Sequence, residues 1–175
     1  MIKISKLLIA KRKIDIPIKK GDSVLYLGAS HGVTAKIISN IVGSQGFVFC
    51  LDISPEVVRK LVLVCEKNHN MCPILANALL PATYEKNLPK QVDVIYQDIA
   101  QKDQVEIFLM NIKQFLKPKC FAMLNLKARS IDVTKSTEEI LNQAIEKLKK
   151  EVKIISYISL EPEKKGHYFI IVSNS

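Results

Sequence analysis

A glycine turn followed by an aspartate is the first part of this sequence whose residue types and spacing indicate chemistry. The turn, GASHG at 28–32, follows the apolar run VLYL and precedes a segment with helical periodicity. A dinucleotide-binding turn would read G-x-G-x-x-G, whereas Ser30 and Val33 stand where its second and third glycines belong. A pyrophosphate therefore fits this turn poorly, which disfavours a nucleotide-dependent dehydrogenase. A tight strand-to-helix turn that binds nothing is the structural alternative.

Asp52 strengthens the case for a ligand at that turn. It ends the apolar run FVFCL, twenty residues after Gly32, where a carboxylate is expected to accept both ribose hydroxyls of a nucleoside. Asp52 could equally begin a turn within DISPE. Together the turn and the acid favour a nucleoside ligand, and an adenosine that carries a sulfonium in place of phosphates would satisfy both.

Apolar runs alternate with helical patterns along almost the whole chain, and these elements must position the turn and the acid. Strands are predicted at 24–27, 47–51, 73–75, 92–96, 121–126, 153–160 and 168–172, and helices at 34–42, 55–67, 104–116 and 137–150. Ser54 is placed to cap the second helix, with Pro55 in its first turn. This alternation predicts an α/β protein with a mostly parallel sheet and helices on both faces.

The last two predicted strands are joined by only EPEKKG, which is too short for a crossover helix. They are therefore expected to pair as an antiparallel hairpin. The final strand then begins at the edge of the sheet where the parallel strands end, and ligands of open α/β sheets bind beyond that edge.

Length and charge bound the domain organisation and the partners. A chain of 175 residues is long enough for one compact unit, predicted over 21–175, with a basic lead-in over 1–20 that includes a short amphipathic helix at 2–12. Of the net charge of +9, the first twenty residues hold seven cations against Asp15, which leaves +6. Such a cluster favours RNA or DNA as a partner, although a solvated lysine-rich face is the commoner meaning.

Cysteine usage and hydropathy limit the other classes of function. The four cysteines lie in apolar contexts, with no C-x-x-C pair and no histidine at ligand spacing, so they are predicted to be reduced core thiols and no metal is expected. No run is long enough to cross a bilayer, and LLIA is too short for a signal-peptide core. A soluble, intracellular protein is expected.

From Ser5 to its end the chain resembles fibrillarin, the RNA 2′-O-methyltransferase family of box C/D ribonucleoprotein particles. The resemblance rests on SKLLIA, VLYLGASHGVT, LDISPEVVRKL, VDVIYQDIAQ, LKARSIDVTK and SLEPEKKGHYFIIV. It implies a Rossmann-like class I methyltransferase fold, whose seven-stranded sheet has an antiparallel last strand. It also implies rRNA or tRNA as target, a guide RNA and the scaffold protein of the particle as partners, and a nucleolar location in a eukaryote or a cytoplasmic one in an archaeon.

The resemblance further implies S-adenosylmethionine as cofactor and assigns site residues. The cofactor contacts are Gly28, Ala29, Ser30, Gly32 and Thr34 at the turn, Asp52 and Ile53 at ribose and adenine, Asn77 and Ala78 at the adenine edge, and Asp98 and Gln101 at the methionine side. The catalytic set falls on Lys6, Asp98, Lys127 and His167. Arg129 and the basic residues Lys3, Lys11 and Arg12 are the expected RNA contacts.

Methyl transfer to a ribose hydroxyl requires alignment of the two groups and removal of one proton. A lysine can take that proton only when its ammonium form is disfavoured, by burial or by a second cation. Lys127 ends the apolar run FAMLNL and is predicted to be the base, while Asp98 orients the lysines and stabilises the sulfonium. His167 would position the hydroxyl or Lys6. Each residue also has a simpler interpretation, as a solvated strand end, a turn or an edge histidine.

The sequence departs from the family pattern in a few places. His31, Val33 and Asn77 replace a usual serine, threonine and aspartate, and the small amino-terminal domain before SKL is expected to be missing. Asn77 can accept one hydrogen bond from the adenine amino group through its amide oxygen, without the charge, so weaker cofactor binding is expected. A stand-alone RNA methyltransferase and a catalytically silent subunit of an RNA particle remain the alternatives.

Overall fold

The computed structural model describes residues 16–174, and a seven-stranded sheet forms the centre of that region. The strands are β1 (Ser23–Leu27), β2 (Phe47–Asp52), β3 (Met71–Leu75), β4 (Val92–Gln97), β5 (Leu116–Lys127), β6 (Lys153–Ser159) and β7 (His167–Ser173). The helices are α1 (Val33–Val42), α2 (Pro55–Cys65), α3 (Gln104–Phe115), α4 (Ala128–Ile131) and α5 (Thr137–Leu148). All seven predicted strands and all four predicted helices are confirmed.

The strand order is β3-β2-β1-β4-β5-β7-β6, and β7 alone runs against its neighbours. The predicted hairpin of the last two strands is therefore confirmed. Strand order reverses between β1 and β4, because the chain winds outward from β1 to β3 and then returns to β4 on the other side. A crevice at such a reversal is where open α/β sheets bind ligands.

The sheet is covered on both faces, which explains why its central strands read as unbroken apolar runs. In β1, Leu25 and Leu27 face the layer that contains α3 and α5, whereas Val24 and Tyr26 face the layer that contains α1 and α2. Successive residues of a strand point to opposite faces, so both sets are buried. A rigid double-sided core of this kind fixes the positions of the strand ends.

Helix starts follow the predicted local chemistry. The Val57 N–H donates to Oγ of Ser54 at 3.4 Å, which confirms Ser54 as the cap of α2. Ser136 caps α5 in the same way, through the Glu139 N–H at 3.1 Å. The four-residue helix α4 and two 3-10 turns, Pro81–Thr83 and Glu85–Asn87, were not predicted because they are too short to show a periodic pattern.

Other expectations meet the structure in part. All four thiols are free, but only Cys50 and Cys65 are buried, while Cys72 and Cys120 are half-buried on the sheet. Within 16–174, no helix has the length and apolar character needed to cross a membrane. The predicted amphipathic helix at 2–12 and the four predicted site residues of that segment lie outside the described residues. Those four are Lys3, Lys6, Lys11 and Arg12.

Candidate active site

A cavity of about 360 Å³ opens at the carboxyl ends of the strands, beside the reversal between β1 and β4. Eight of the eleven predicted cofactor contacts line it: Gly28, Ser30, Asp52, Ile53, Asn77, Ala78, Asp98 and Gln101. Lys127, the predicted base, lies in the same wall. Residues from five separate segments of the chain therefore meet at one site.

The glycine turn forms one side of the cavity. Gly28 has a φ of 82°, and a Cβ built on it would lie 2.8 Å from the carbonyl oxygen of Asp98. Only glycine lets the ends of β1 and β4 approach this closely while keeping that conformation. The N–H groups of Gly28 and Ala29 both donate to the Leu51 carbonyl, at 2.9 and 3.0 Å, which ties the turn to β2.

Three predicted cofactor contacts in the turn region do not line the cavity. Ala29 is buried in the core, and Gly32 starts α1 with its Cα packed towards α2, where an added Cβ would lie 2.9 Å from Cδ1 of Leu61. Thr34 hydrogen-bonds to the Tyr26 side chain instead. The side of Gly32 on which a side chain would stand is therefore filled by α2, and its contact with the cofactor stays a prediction.

Asp52 is held in a fixed orientation at the end of β2. Its Oδ2 accepts the Ser30 N–H at 2.9 Å, and its Oδ1 accepts the Ser54 N–H at 3.1 Å. Each carboxylate oxygen keeps further acceptor capacity, and the residue lines the cavity. This carboxylate can accept paired hydroxyls such as those of a ribose.

Asn77 and Ala78 line the opposite side of the cavity, on the loop after β3. The Leu79 N–H donates to Oδ1 of Asn77 at 3.0 Å, so the amide oxygen expected to face adenine is engaged in a local turn. The NH₂ group and the second lone pair of that oxygen remain available. The Ala78 carbonyl accepts Nδ2 of the buried Asn111 at 3.0 Å, which fixes the loop against α3.

Lys127 and Asp98 form an ion pair at the rim of the cavity. Lys127 Nζ lies 2.8 Å from Asp98 Oδ1 and donates to the Asp98 carbonyl at 2.9 Å. The two side chains are only 19% and 23% exposed, so solvent screens the pair weakly. Asn125, which is buried, donates to the same Oδ1 at 2.9 Å. The carboxylate is therefore held by a cation and an amide at once.

His167 begins β7 directly opposite Lys127, in register with it. The pKa of His167 is below its ordinary value because burial and the charges of Lys164 and Lys127 disfavour the imidazolium, with Asp98 acting in the opposite direction. Its Nδ1 is buried and has no hydrogen-bond partner in the part of the chain that the structure describes. A neutral imidazole beside the ion pair can accept a hydrogen bond from a hydroxyl.

Three polar residues of the site were not predicted from the sequence. The Tyr26 ring lines the cavity and stacks on Tyr96 with ring centroids 4.7 Å apart, and burial and Asp98 raise its pKa. Asn125 donates to Oδ1 of Asp98, and Gln104 accepts the Lys127 N–H. A signal existed for Asn125, since it is the one polar residue within FAMLNL. Nothing local distinguished Gln104 from a solvated helix residue.

Arg129 lies on α4, two residues beyond Lys127. Its side chain is exposed and donates to the Val133 carbonyl at 3.2 Å. This position beside the ion pair fits the predicted contact with an RNA phosphate, whereas His31 and His69 are exposed away from the cavity lining.

Comparison with known proteins gives consistent matches. The model of the family described as Fibrillarin matches residues 3–175. The fibrillarin-like rRNA/tRNA 2′-O-methyltransferase of Thermococcus gammatolerans is 42% identical over 158 residues, which cover 90% of this chain and 70% of that relative.

Two solved structures show the same similarity in three dimensions. The fibrillarin in a fibrillarin/Nop5p complex superposes with a TM-score of 0.91 at 33% identity, over 96% of this chain and 79% of its own. Aeropyrum pernix fibrillarin, with natively bound S-adenosyl-L-methionine, superposes with a TM-score of 0.84 at 35% identity, over 95% and 74% of the two chains.

Proposed function

The chain belongs to the fibrillarin family, and on that premise we propose that it is an S-adenosylmethionine-dependent RNA 2′-O-methyltransferase. In this proposal it is the catalytic subunit of a box C/D guide-RNA particle and acts on rRNA or tRNA. The observation that carries the proposal is the Lys127–Asp98 ion pair at the rim of a nucleoside-sized cavity, with His167 opposite Lys127.

The cavity fits the proposed methyl donor. A volume of about 360 Å³ is within the range of small-molecule sites. Asp52 would accept the ribose hydroxyls, and the loop of Asn77 and Ala78 would hold the base. Asp98 and Gln101, which line the cavity together with Lys127, would bind the charged amino-acid part. S-adenosylmethionine, when bound, supplies an electrophilic methyl group carried on a positively charged sulfur.

Lys127 is the proposed base. In its ion pair with Asp98 it carries a proton, and it must release that proton before it can take one from the ribose hydroxyl. A second positive charge beside Asp98 favours the release, because one carboxylate then faces two cations. Asp98 keeps its place throughout, since Asn125 also holds it. Removal of such a base lowers rates by about 10²- to 10⁴-fold.

His167 is proposed to hold the hydroxyl that reacts. As a neutral imidazole it can accept the hydroxyl hydrogen bond and direct it towards Lys127, its cross-strand neighbour. Lys6, which lies outside the described residues, remains the second catalytic lysine predicted by the resemblance. Arg129, exposed beside the site, is the proposed phosphate contact, with Lys3, Lys11 and Arg12 as further RNA contacts.

The partners proposed are a guide RNA, the target RNA and the particle's scaffold protein. The related fibrillarin described above was solved together with Nop5p, which supports a scaffold partner of that kind. The named relatives come from archaea, so we propose that the protein works in the cytoplasm of an archaeal cell.

The test is methyl transfer from radiolabelled S-adenosylmethionine to a target RNA paired with its guide, in a particle assembled with the scaffold protein. Lys127→Ala is expected to lower the rate about 10²-fold or more. The matched control is Lys117→Ala, because Lys117 is also ion-paired with an aspartate, Asp93 at 2.5 Å, but at the opposite end of the sheet.

Three results would change the proposal. A wild-type protein that joins the particle but transfers no methyl group would indicate the silent subunit. Transfer to bare RNA without guide or scaffold would indicate the stand-alone enzyme. If Lys127→Ala kept the rate of Lys117→Ala, Lys127 would not be the base.

A further inference from the structure

Gln104 makes three side-chain hydrogen bonds next to the site, and no step described so far uses it. It is the first residue of α3 and is fully buried. Its Oε1 accepts the Lys127 N–H at 2.8 Å, while its Nε2 donates to the Lys127 carbonyl at 3.2 Å and to the Gln101 carbonyl at 2.9 Å. One amide therefore bonds to both main-chain groups of Lys127 and to the cavity loop.

The position of Lys127 in the sheet explains why it needs such a partner. Pairing of β4 with β5 stops at Gln97 and Leu124, three residues before Lys127. On the other side β7 continues to pair, up to Lys127 and His167. Beyond the end of β4, the part-buried N–H and carbonyl of Lys127 that face that side have no strand to bond to, and main-chain groups left unpaired inside a protein are costly. The Gln104 amide takes the place of the missing strand.

This bonding also shows how Lys127 faces His167. In an antiparallel pair both main-chain groups of one residue point to the same side. Because those of Lys127 point to Gln104, Lys127 and His167 form the pair that does not exchange hydrogen bonds, in which the side chains are closer together. The strand pairing therefore sets the two side chains side by side, and the Gln104 contact satisfies the main-chain groups that this arrangement leaves without a partner in β7.

Gln104 is itself fixed from a second direction. Nε2 of Gln97, the last residue of β4, donates to the Gln104 carbonyl at 2.6 Å. Gln97 is fully buried, so this bond locks the start of α3 to the end of β4. Hydrogen bonds from Gln97 through Gln104 to Lys127 therefore link the end of β4, which precedes Asp98, to the end of β5, which carries the Lys127 amine.

We propose that Gln104 is a positioning residue for the methyl transfer: it replaces the strand that β5 lacks and so holds the Lys127 amine at Asp98 and beside His167. This inference rests on the proposed function, since it assigns Gln104 a part in that reaction. It is not a catalytic residue, because it touches the main chain of Lys127 and not the reacting atoms.

The test is a double-mutant cycle of Gln104→Met and Lys127→Ala, measured as kcat at saturating donor and RNA in the assembled particle. Methionine fills the space without hydrogen bonds. Gln104→Met is expected to lower kcat about 10- to 100-fold in the wild-type background. In the Lys127→Ala background it is expected to change the residual rate by less than about twofold, because the residue acts through Lys127.

Asn70→Leu is the matched control for the loss of a side-chain amide that bonds main-chain carbonyls. Nδ2 of Asn70 donates to the carbonyls of Ser39 and Gly43 at 3.0 and 2.9 Å, at the end of the sheet away from the cavity. Its kcat is expected to stay within about twofold of wild type, whatever its stability. Asn70→Leu with a loss of kcat equal to that of Gln104→Met would overturn the inference. So would a Gln104→Met substitution that lowers kcat by the same factor in the wild-type and Lys127→Ala backgrounds.

Two further measurements keep the inference testable. If Gln104→Met does not fold, the cycle is run with Gln104→Glu, which keeps the acceptor for the Lys127 N–H and loses both donated bonds. This substitution too is expected to lower kcat in the wild-type background and to change the residual rate little in the Lys127→Ala background. Amide hydrogen exchange at Lys127 should be slow in wild type and Asn70→Leu and fast in Gln104→Met. A wild type without methyl transfer defeats the proposed function, whereas unchanged exchange at Lys127 defeats the Gln104 contact itself.

Discussion

Asn77→Asp is expected to tighten the binding of S-adenosylmethionine. In the structure Oδ1 of Asn77 accepts the Leu79 N–H at 3.0 Å, so one lone pair of that oxygen and the NH₂ donor are left for the cavity that the residue lines. The 6-amino group of adenine is also a donor, and two donors cannot bond to each other. An aspartate would keep the bond to Leu79 with one oxygen and offer the other oxygen to the amino group.

The size of the effect follows from the one bond gained. A hydrogen bond to a charged group contributes about 1.5–3 kcal/mol when it is shielded from water. Because the cavity is open to solvent, the lower part of that range applies, which corresponds to roughly 10-fold tighter binding. The measurement is isothermal titration calorimetry with S-adenosylmethionine and with S-adenosylhomocysteine.

A base analogue makes the prediction sharper. S-inosylhomocysteine carries a 6-oxo group, which is an acceptor. Its affinity relative to that of S-adenosylhomocysteine should therefore be higher for wild type than for Asn77→Asp. The ratio of the two dissociation constants, adenosyl to inosyl, is therefore expected to move by roughly 10-fold or more between the two proteins. Asn70→Asp is the control, since Asn70 lies away from the cavity lining. An Asn77→Asp protein with unchanged affinity and unchanged base preference would refute the reasoning.

Three other predictions follow from single contacts. An alanine in the left-handed conformation costs about 1–2 kcal/mol of stability. Gly28→Ala is expected to lower the free energy of unfolding in urea by more than this, because its Cβ would lie 2.8 Å from the Asp98 carbonyl oxygen. Gly21→Ala, with a φ of 87° and nothing within 4 Å of its Cβ, should show the conformational cost alone. The pKa of His167 is lower in the folded protein, so the unfolded chain takes up this proton more readily than the folded one. The contribution of His167 to the free energy of unfolding should therefore be constant above neutrality and fall as pH drops below about 6.5. Urea titrations at pH 7.5 and 5.5 should show a smaller fall for His167→Gln than for wild type, and an identical fall would contradict the lowered pKa of His167. Arg129→Gln should make the slope of log binding constant against log salt about 0.7–0.9 less steep, measured by fluorescence titration of guide-paired RNA, and an unchanged slope would remove Arg129 from the phosphate contacts.

Much of the fold could be predicted from the sequence because burial leaves a clear pattern. Strands covered on both faces must be apolar at every position, and the helices over them must be apolar on one side, as β1 and α1 show. The hairpin of β6 and β7 followed from the length of its connection alone. The helix α4, of four residues, was missed because it is too short to contain a repeat.

The placing of site residues at one edge was also accessible, since parallel strands end on the same side. Asp52, Asp98 and Lys127 each follow or end an apolar run, and the structure brings all three to the cavity. Their chemical roles, and those of Lys6 and His167, remain predictions. The packing at the glycine turn was not visible in the sequence: Gly28 lines the cavity, and Gly32 lies where a side chain would meet α2, while its contact with the cofactor stays a prediction.

The sequence by itself therefore determined the order of the elements and which residues stand at strand ends, because hydrophobic period and loop length are local properties of the chain. Only the tertiary structure decided which groups hold those residues in place. Asn125 bonds to Asp98 across 27 positions of the sequence, and Gln104 bonds to Lys127 across 23. Such contacts require segments distant in the sequence to be placed within hydrogen-bonding distance of each other, which happens only when the sheet and its helices pack, and no local pattern records them.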